Sequence, residues 1–294
     1  MHWTLDGALQ NYPQQLQGLV ERAGPLAVPG AYNPMAALMA RDVGFDALYF
    51  SGAAFSAGLG IPDIGIFTLD QLTQAVRDVV RASGLPLIVD ADTGFGEPIN
   101  ILKTVRDLED TGAAAIQIED QVMPKRCGHL EGKTVVPAED FVQKLRAAAY
   151  ARRDALIVAR TDSKAIYGME EAIRRGLMYL DAGADIIFPE ALETPEEFRT
   201  YAAAVGGTLL ANMTEFGKTP YLSADQFYAL GYKIVIFPVT AMRVAAKATE
   251  MALRELYAKG TQAGLLENMQ TRAELYRLIE YDRYTEIDSK FSES

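Results

Sequence analysis

Lys125-Arg126-Cys127-Gly128-His129 gathers more reactive side chains than any other stretch of the 294-residue chain. It holds the only cysteine and one of two histidines, and Gln117-Ile118-Glu119-Asp120 precedes it as the end of a strand. Flanking cations lower the pKa of a thiol and attract anionic substrates, so Cys127 can act as nucleophile or proton donor. A lone cysteine is more often a small buried hydrophobe. The Lys, Arg, Gly and His around this one favour chemistry instead. Gly128 lets a backbone approach a ligand closely.

Three further groups suit the same kind of ligand. Asp90-Ala91-Asp92 puts two carboxylates on one face of a strand, about 7 Å apart. Hard oxygen ligands without neighbouring His or Cys suit Mg²⁺, which takes one or two carboxylates and keeps several waters. Asp63 and Glu119 are candidates to hold those waters; the competing role for the aspartate pair is to cap the Thr93-Gly94-Phe95-Gly96 turn. Ser51-Gly52-Ala53-Ala54 follows a strand, where small residues offer backbone N–H groups to a carboxylate or simply make a tight turn. Arg160 and Arg243, near strand ends, can clamp a carboxylate. For Arg160 an internal ion pair with Glu190 or Asp162 is the alternative. Gly94-Phe95-Gly96 lacks the third glycine of a dinucleotide fingerprint, and no Walker A, Gly-x-Ser-x-Gly or His-Glu-x-x-His pattern is present.

The elements that must position these groups repeat one pattern. Short apolar runs at Leu26–Ala31, Ala47–Ser51, Pro86–Asp92, Ala114–Glu119, Leu156–Asp162, Asp185–Glu190, Thr208–Thr214 and Lys233–Val239 read as buried parallel strands. Helical stretches such as Thr68–Ser83, Pro137–Arg153 and Met169–Asp181 alternate with them, with Gly112, Gly183 and Gly231 where helices should stop. Eight such alternations predict an α/β fold, a (β/α)8 TIM-type barrel, with a doubly wound open sheet as the runner-up. The chain reads as a single domain over residues 1–294, with a helical lead-in at 1–25 and a helical extension at 264–294.

Strand parity sharpens this reading. Tyr49 and Ser51, Asp90 and Asp92, Gln117 and Glu119, Arg160 and Asp162, Glu190, and Asn212 and Thr214 fall on one face. Apolar neighbours such as Leu48, Val89, Ile116, Ile187 and Leu209 fall on the other. Polar groups gathered at C-terminal strand ends mark the active-site face of a barrel.

Bulk properties narrow the class. With 49% hydrophobic and 23% charged residues the chain can bury a large core. A net charge of −11 argues against nucleic acid and anionic membrane as partners. One cysteine excludes an internal disulfide or a Cys-rich zinc site. The start lacks a signal-peptide pattern and the apolar runs are short, which predicts a cytoplasmic protein with no membrane span.

Lys125–His129 resembles the signature loop of the isocitrate lyase and phosphoenolpyruvate mutase superfamily. The likeness extends through Tyr49-Phe50-Ser51-Gly52, Leu59–Asp63, Val89–Gly96, Gln117–Gln121, Ala159–Asp162, Phe188–Ala191, Ala211–Gly217 and Met269–Arg272. Among branches of the superfamily it looks most like the one that cleaves 2-methylisocitrate to pyruvate and succinate with Mg²⁺. The resemblance implies that Asp90 and Asp92 organise the metal. It implies substrate contacts from Ser51, Gly52, Ala53, Cys127, Gly128, Arg160, Glu190, Asn212, Met213, Thr214, Arg243 and Arg272. It also implies a homotetramer whose C-terminal helices exchange, with Arg272 serving an adjacent subunit. Ala53 departs from the glycine that some lyases of this group carry.

Breaking the C2–C3 bond requires the C2 hydroxyl to lose its proton and the succinate fragment to gain one. Cys127 is the expected acid, and Tyr49 handles the hydroxyl proton, with Lys125 as alternative. Glu119 and His129 orient the loop, and the loop forms a lid over the barrel mouth. The sister reading is a 2,3-dimethylmalate lyase or oxaloacetate hydrolase. A phosphonate-forming mutase fits less well, because such mutases lack the cysteine loop.

Overall fold

Eight short parallel strands form a ring in the computed structural model, which describes residues 10–126 and 132–292. The chain enters through α1 (Tyr12–Glu21) and β1 (Leu26–Pro29), then α2 (Pro34–Val43) and β2 (Leu48–Phe50). Next come α3 (Gly52–Gly58), α4 (Leu69–Ser83), β3 (Leu87–Asp90), α5 (Pro98–Asp110) and β4 (Ala115–Glu119). The second half runs α6 (Ala138–Ala151), β5 (Leu156–Thr161), α7 (Lys164–Tyr167), α8 (Met169–Asp181) and β6 (Ile186–Pro189). It continues with α9 (Pro195–Val205), β7 (Thr208–Asn212), α10 (Ala224–Ala229) and β8 (Ile234–Phe237). After the barrel come α11 (Thr240–Lys259), a 3-10 turn (Ala263–Asn268), α12 (Arg272–Leu278) and α13 (Tyr281–Ser292).

The strands are hydrogen-bonded in the order β1-β8-β7-β6-β5-β4-β3-β2. A parallel bridge between Gly30 and Tyr49, with Ala31 N donating to Tyr49 O at 2.9 Å, joins the two ends. That closure excludes an open doubly wound sheet and gives the (β/α)8 barrel. Glycine is required at the seam. A Cβ on Gly30 would lie 2.0 Å from the Pro238 carbonyl oxygen, so any side chain would push β1 away from the segment after β8.

Each expected strand is present, shortened by up to three residues at its ends. The apolar parity is buried as expected: Leu48, Val89, Ile116, Ile118, Ile187 and Leu209 belong to one continuous core. Burying these side chains contributes ~1.5–3 kcal/mol each, which is what holds strands of three to six residues in register. Helix boundaries follow local chemistry. Thr68 and Gln71 form a reciprocal capping box at the start of α4, and Gly84 ends it at φ 63°.

α11 is different. It runs for 20 residues with none buried, and exposes Val244, Met251, Leu253 and Tyr257. α12 returns to the barrel, where Leu278 packs with Leu38 and Ala82 and Arg277 pairs with Asp42 at 2.8 Å. No helix among the described residues is long and apolar enough to cross a membrane.

Candidate active site

The C-terminal mouth of the barrel holds a pocket that brings together most of the expected residues. Tyr49, Ser51, Ala53, Asp63, Asp90, Lys125, Arg160, Glu190, Asn212, Thr214 and Arg243 line it. Phe188, Ile236, Pro238 and Val239 form an apolar wall that the sequence reading passed over. Phe188 shares the parity of Glu190, so strand alternation carried that signal. Met213 is buried beside the pocket without lining it, and Arg272 is exposed at the start of α12. Cys127, Gly128 and His129 lie outside the described residues.

Asp90 and Asp92 do not share a straight strand. β3 ends at Asp90, and Asp92 adopts a left-handed φ of 48° as the chain turns toward Thr93-Gly94. Asp90 accepts hydrogen bonds from Gly52 N (3.1 Å) and Asp92 N (3.2 Å), so it does part of the turn-capping work. The Gly52 N–H is therefore directed at Asp90. A Cβ on Gly52 would come 3.0 Å from Asp92 Oδ1 and 3.1 Å from Asp90 Oδ2, so glycine lets α3 sit against both carboxylates. Ala191 (φ 57°) and Phe216 (φ 60°) are also left-handed, just past β6 and β7. Such backbone costs ~1–3 kcal/mol and gathers at functional sites.

Lys125 is buried between Asp63 and Asp92, at 2.8 Å from Asp92 Oδ1. Burial opposes its charge, but Asp92, Glu119, Asp90 and Asp63 together hold it well above the usual lysine range. Burial pushes the Asp92 carboxyl up to about 7; Lys125 pulls it down and Asp90 adds to the rise. Even with Arg160 against Glu119, the buried carboxylates outnumber the cations among them.

Whether these residues suit a divalent cation can be tested on the unpaired oxygens. Asp92 Oδ2 and Glu119 Oε1 are buried without a hydrogen-bond partner. Buried carboxylate oxygens left unpaired are costly, and a cation with its waters relieves both. No cluster of three or more His, Cys, Asp or Glu suited to a metal occurs among the described residues. Asp90 and Asp92 offer two carboxylates, a donor set that Mg²⁺ accepts when waters complete its shell. The residues fit.

Arg160 answers the question left open by its position. Its guanidinium reaches Asp162 (2.9 Å), Glu119 (3.1 Å) and Glu190 (3.6 Å), and Phe188 lies against it at 5.3 Å. It is an internal ion-pair hub that also lines the pocket. Burial opposes its charge, yet Asp162, Glu119 and Glu190 raise it further. Glu119 sits well above the usual carboxyl range, chiefly through burial, with Arg160 and Lys125 opposing. Asn212 Nδ2 donates to Glu190 Oε2 at 3.2 Å. Arg243 lies near Glu215 (3.7 Å) and over the Phe216 ring, at the outer rim.

Behind the mouth, Asp120 ties β4 to β5 and α8. Its carboxylate accepts from Asp162 N (3.0 Å), Thr161 Oγ1 (2.7 Å), Arg175 Nη1 (2.9 Å) and Tyr179 OH (2.8 Å). Asp162 in turn holds Lys133 at 2.7 Å. Asp120→Asn turns an N–H toward at least one of these donors in a dry site. It is expected to destabilise the fold by ~3–5 kcal/mol in urea unfolding, as breaking a buried pair does. A loss below about 1 kcal/mol, the range of exposed pairs, would show that the cluster does not hold the strand ends.

The phosphoenolpyruvate phosphomutase family model matches residues 16–257. The chain belongs to this family. It is 56% identical to the 2-methylisocitrate lyase of Aeropyrum pernix over 94% of this chain and 90% of that one. It is 45% identical to the 2-methylisocitrate lyase of Bacillus subtilis over 100% and 98%. The 2,3-dimethylmalate lyase of Eubacterium barkeri is 40% identical over 96% and 99%. Among solved structures, a 2,3-dimethylmalate lyase superposes with a TM-score of 0.90 at 36% identity, covering 96% of both chains. A phosphonopyruvate hydrolase complexed with oxalate and Mg²⁺ gives 0.86 at 28% identity, over 97% and 100%. With lyases at this identity over nearly the whole chain, the family member described here is a lyase of the phosphoenolpyruvate mutase and isocitrate lyase group.

Proposed function

We infer that this lyase cleaves 2-methylisocitrate to pyruvate and succinate with Mg²⁺, as a step of propionate breakdown by the methylcitrate route. The observation that carries the reading is 45–56% identity, over nearly the full chain, to two relatives with that activity in their names. The pocket supports it. Cations and amides at Arg160, Asn212 and Arg243 face the space a polycarboxylate needs, while Phe188, Ile236 and Val239 give a methyl group an apolar wall.

Asp90 and Asp92 would hold Mg²⁺, with Asp63 and Glu119 toward its waters. When bound, the ion supplies a Lewis acid that lowers the cost of negative charge on substrate oxygens. Ser51, Ala53, Arg160, Glu190, Asn212 and Thr214 bind and orient the acid, with Gly128 of the cysteine loop, while Gly52 acts through Asp90 and Met213 from behind the pocket wall. Tyr49 meets the substrate hydroxyl as a hydrogen-bond acceptor; Lys125, the alternative group for that proton, is held protonated by Asp92, Glu119, Asp90 and Asp63 and would take it only after losing its own. Cys127 protonates the carbanion left on succinate, and His129 helps to orient its loop. α11, which buries no residue, supports a homotetramer built by helix exchange, in which Arg272 serves a neighbouring pocket.

Metal-stripped protein should release pyruvate from 2-methylisocitrate only after Mg²⁺ is restored, as followed by a coupled lactate dehydrogenase assay. Activity indifferent to EDTA would refute the metal role. The sister reading, a 2,3-dimethylmalate lyase, is favoured by the structural match to that enzyme. Parallel assays on 2-methylisocitrate, isocitrate, 2,3-dimethylmalate and oxaloacetate separate the two. Faster turnover of any acid but the first would overturn the substrate assigned here.

A further inference from the structure

Gln117 lies between two residues that reach the pocket, yet does not line it. It is fully buried on β4, in register with Asp90 of β3. Tyr49 OH donates to Gln117 Oε1 at 2.9 Å, and Gln117 Nε2 donates to Asp90 Oδ1 at 3.1 Å.

The order of donors in this chain is fixed by chemistry. The Asp90 carboxylate already takes N–H groups from Gly52 and Asp92, and a carboxylate only accepts. The NH₂ end of the Gln117 amide must therefore face Asp90. Only the carbonyl end remains for Tyr49, so the phenol must give its proton to Gln117. That proton points at Gln117, which does not line the pocket, and the lone pairs of the phenol oxygen are left for other partners.

We propose that Gln117 is a positioning residue with two outputs. It fixes the rotation of the Asp90 carboxylate, and it sets the direction of the Tyr49 hydroxyl so that Tyr49 meets substrate as a hydrogen-bond acceptor. An acceptor at that place suits a ligand bearing a hydroxyl and disfavours a second carboxylate. The inference rests on the lyase reading above for the identity of that ligand, and names the orientation in which the substrate hydroxyl is received.

Three variants test it: Gln117→Met, which keeps the volume and removes the amide; Gln117→Asn, too short to reach both partners; and Gln117→His. A neutral imidazole has one N–H donor and one bare acceptor nitrogen, so it can restore the same polarity. Groups that orient metal ligands are worth ~10–100-fold in affinity or activity. In calorimetric titration, Mg²⁺ affinity should fall by about that factor in the Met and Asn variants. Their kcat should fall comparably with KM little changed, and the His variant should recover most of both.

Gln117→Met with wild-type Mg²⁺ affinity and kcat would overturn the proposal. A His variant as impaired as the Met variant would also overturn it, since packing alone would then explain the loss. If the Met variant does not fold, the Asn and His pair carries the same comparison. If the wild type does not cleave 2-methylisocitrate, the substrate reading fails, and the Mg²⁺ titrations still decide the role of Gln117.

Discussion

Cys127→Ser is expected to lower kcat for 2-methylisocitrate by about 10²–10⁴-fold, the contribution of a well-placed general acid, with KM within a few-fold of wild type. The reasoning is chemical. The succinate fragment leaves the cleaved bond with an electron pair that a proton must meet. A thiol can give one, whereas a serine hydroxyl is a far weaker acid of almost the same size. On the proposed function substrate binding falls to Arg160, Asn212 and the carboxylate pair, so it should persist. Cys127 is the only cysteine, so thiol alkylation provides an independent readout. One equivalent of iodoacetamide should abolish turnover of the wild type and leave the folding transition unchanged. A serine variant with full activity, or an alkylated enzyme that still turns over, would remove Cys127 as the acid.

The barrel was legible because its signals are geometric. Buried parallel strands are short apolar runs, and alternation along each run assigns its faces. That is why Tyr49, Asp90, Arg160, Glu190 and Asn212, which share one mouth, could be gathered from the sequence. Alternation failed at Asp92, where the chain leaves the strand at a left-handed residue that Asp tolerates better than most. It could not show that Lys125 sits between Asp63 and Asp92, or that Lys133 reaches Asp162, because loop geometry makes those pairs. Nor could it choose between clamp and ion-pair roles for Arg160. That choice depends on carboxylates from three different strand ends converging on one guanidinium.

Arg160→Met should cost both stability and turnover, because it leaves Glu119, Asp162 and Glu190 buried around a vacated cation. Removing one partner of a buried pair costs ~3–5 kcal/mol, and among the described residues Asp162 keeps Lys133 as its countercharge. The loss has a pH signature. Glu119 already titrates well above its ordinary value of 4.5, chiefly because it is buried, with Arg160 as the strongest opposing influence. A carboxyl raised in the native state holds a proton that the unfolded chain has released. Stability therefore falls as pH climbs from the unfolded value toward the native one. Without Arg160 that interval widens, so the variant should be destabilised more at about pH 8 than at about pH 5. The comparison is made by urea unfolding with EDTA present, so that no bound cation masks it. Arg160→Lys keeps the charge but loses the planar fork, and should recover stability better than it recovers kcat/KM. Equal stability of Arg160→Met and wild type at both pH values would mean that the three carboxylates are satisfied without the guanidinium. Arg160 would then be free to act as a substrate clamp alone.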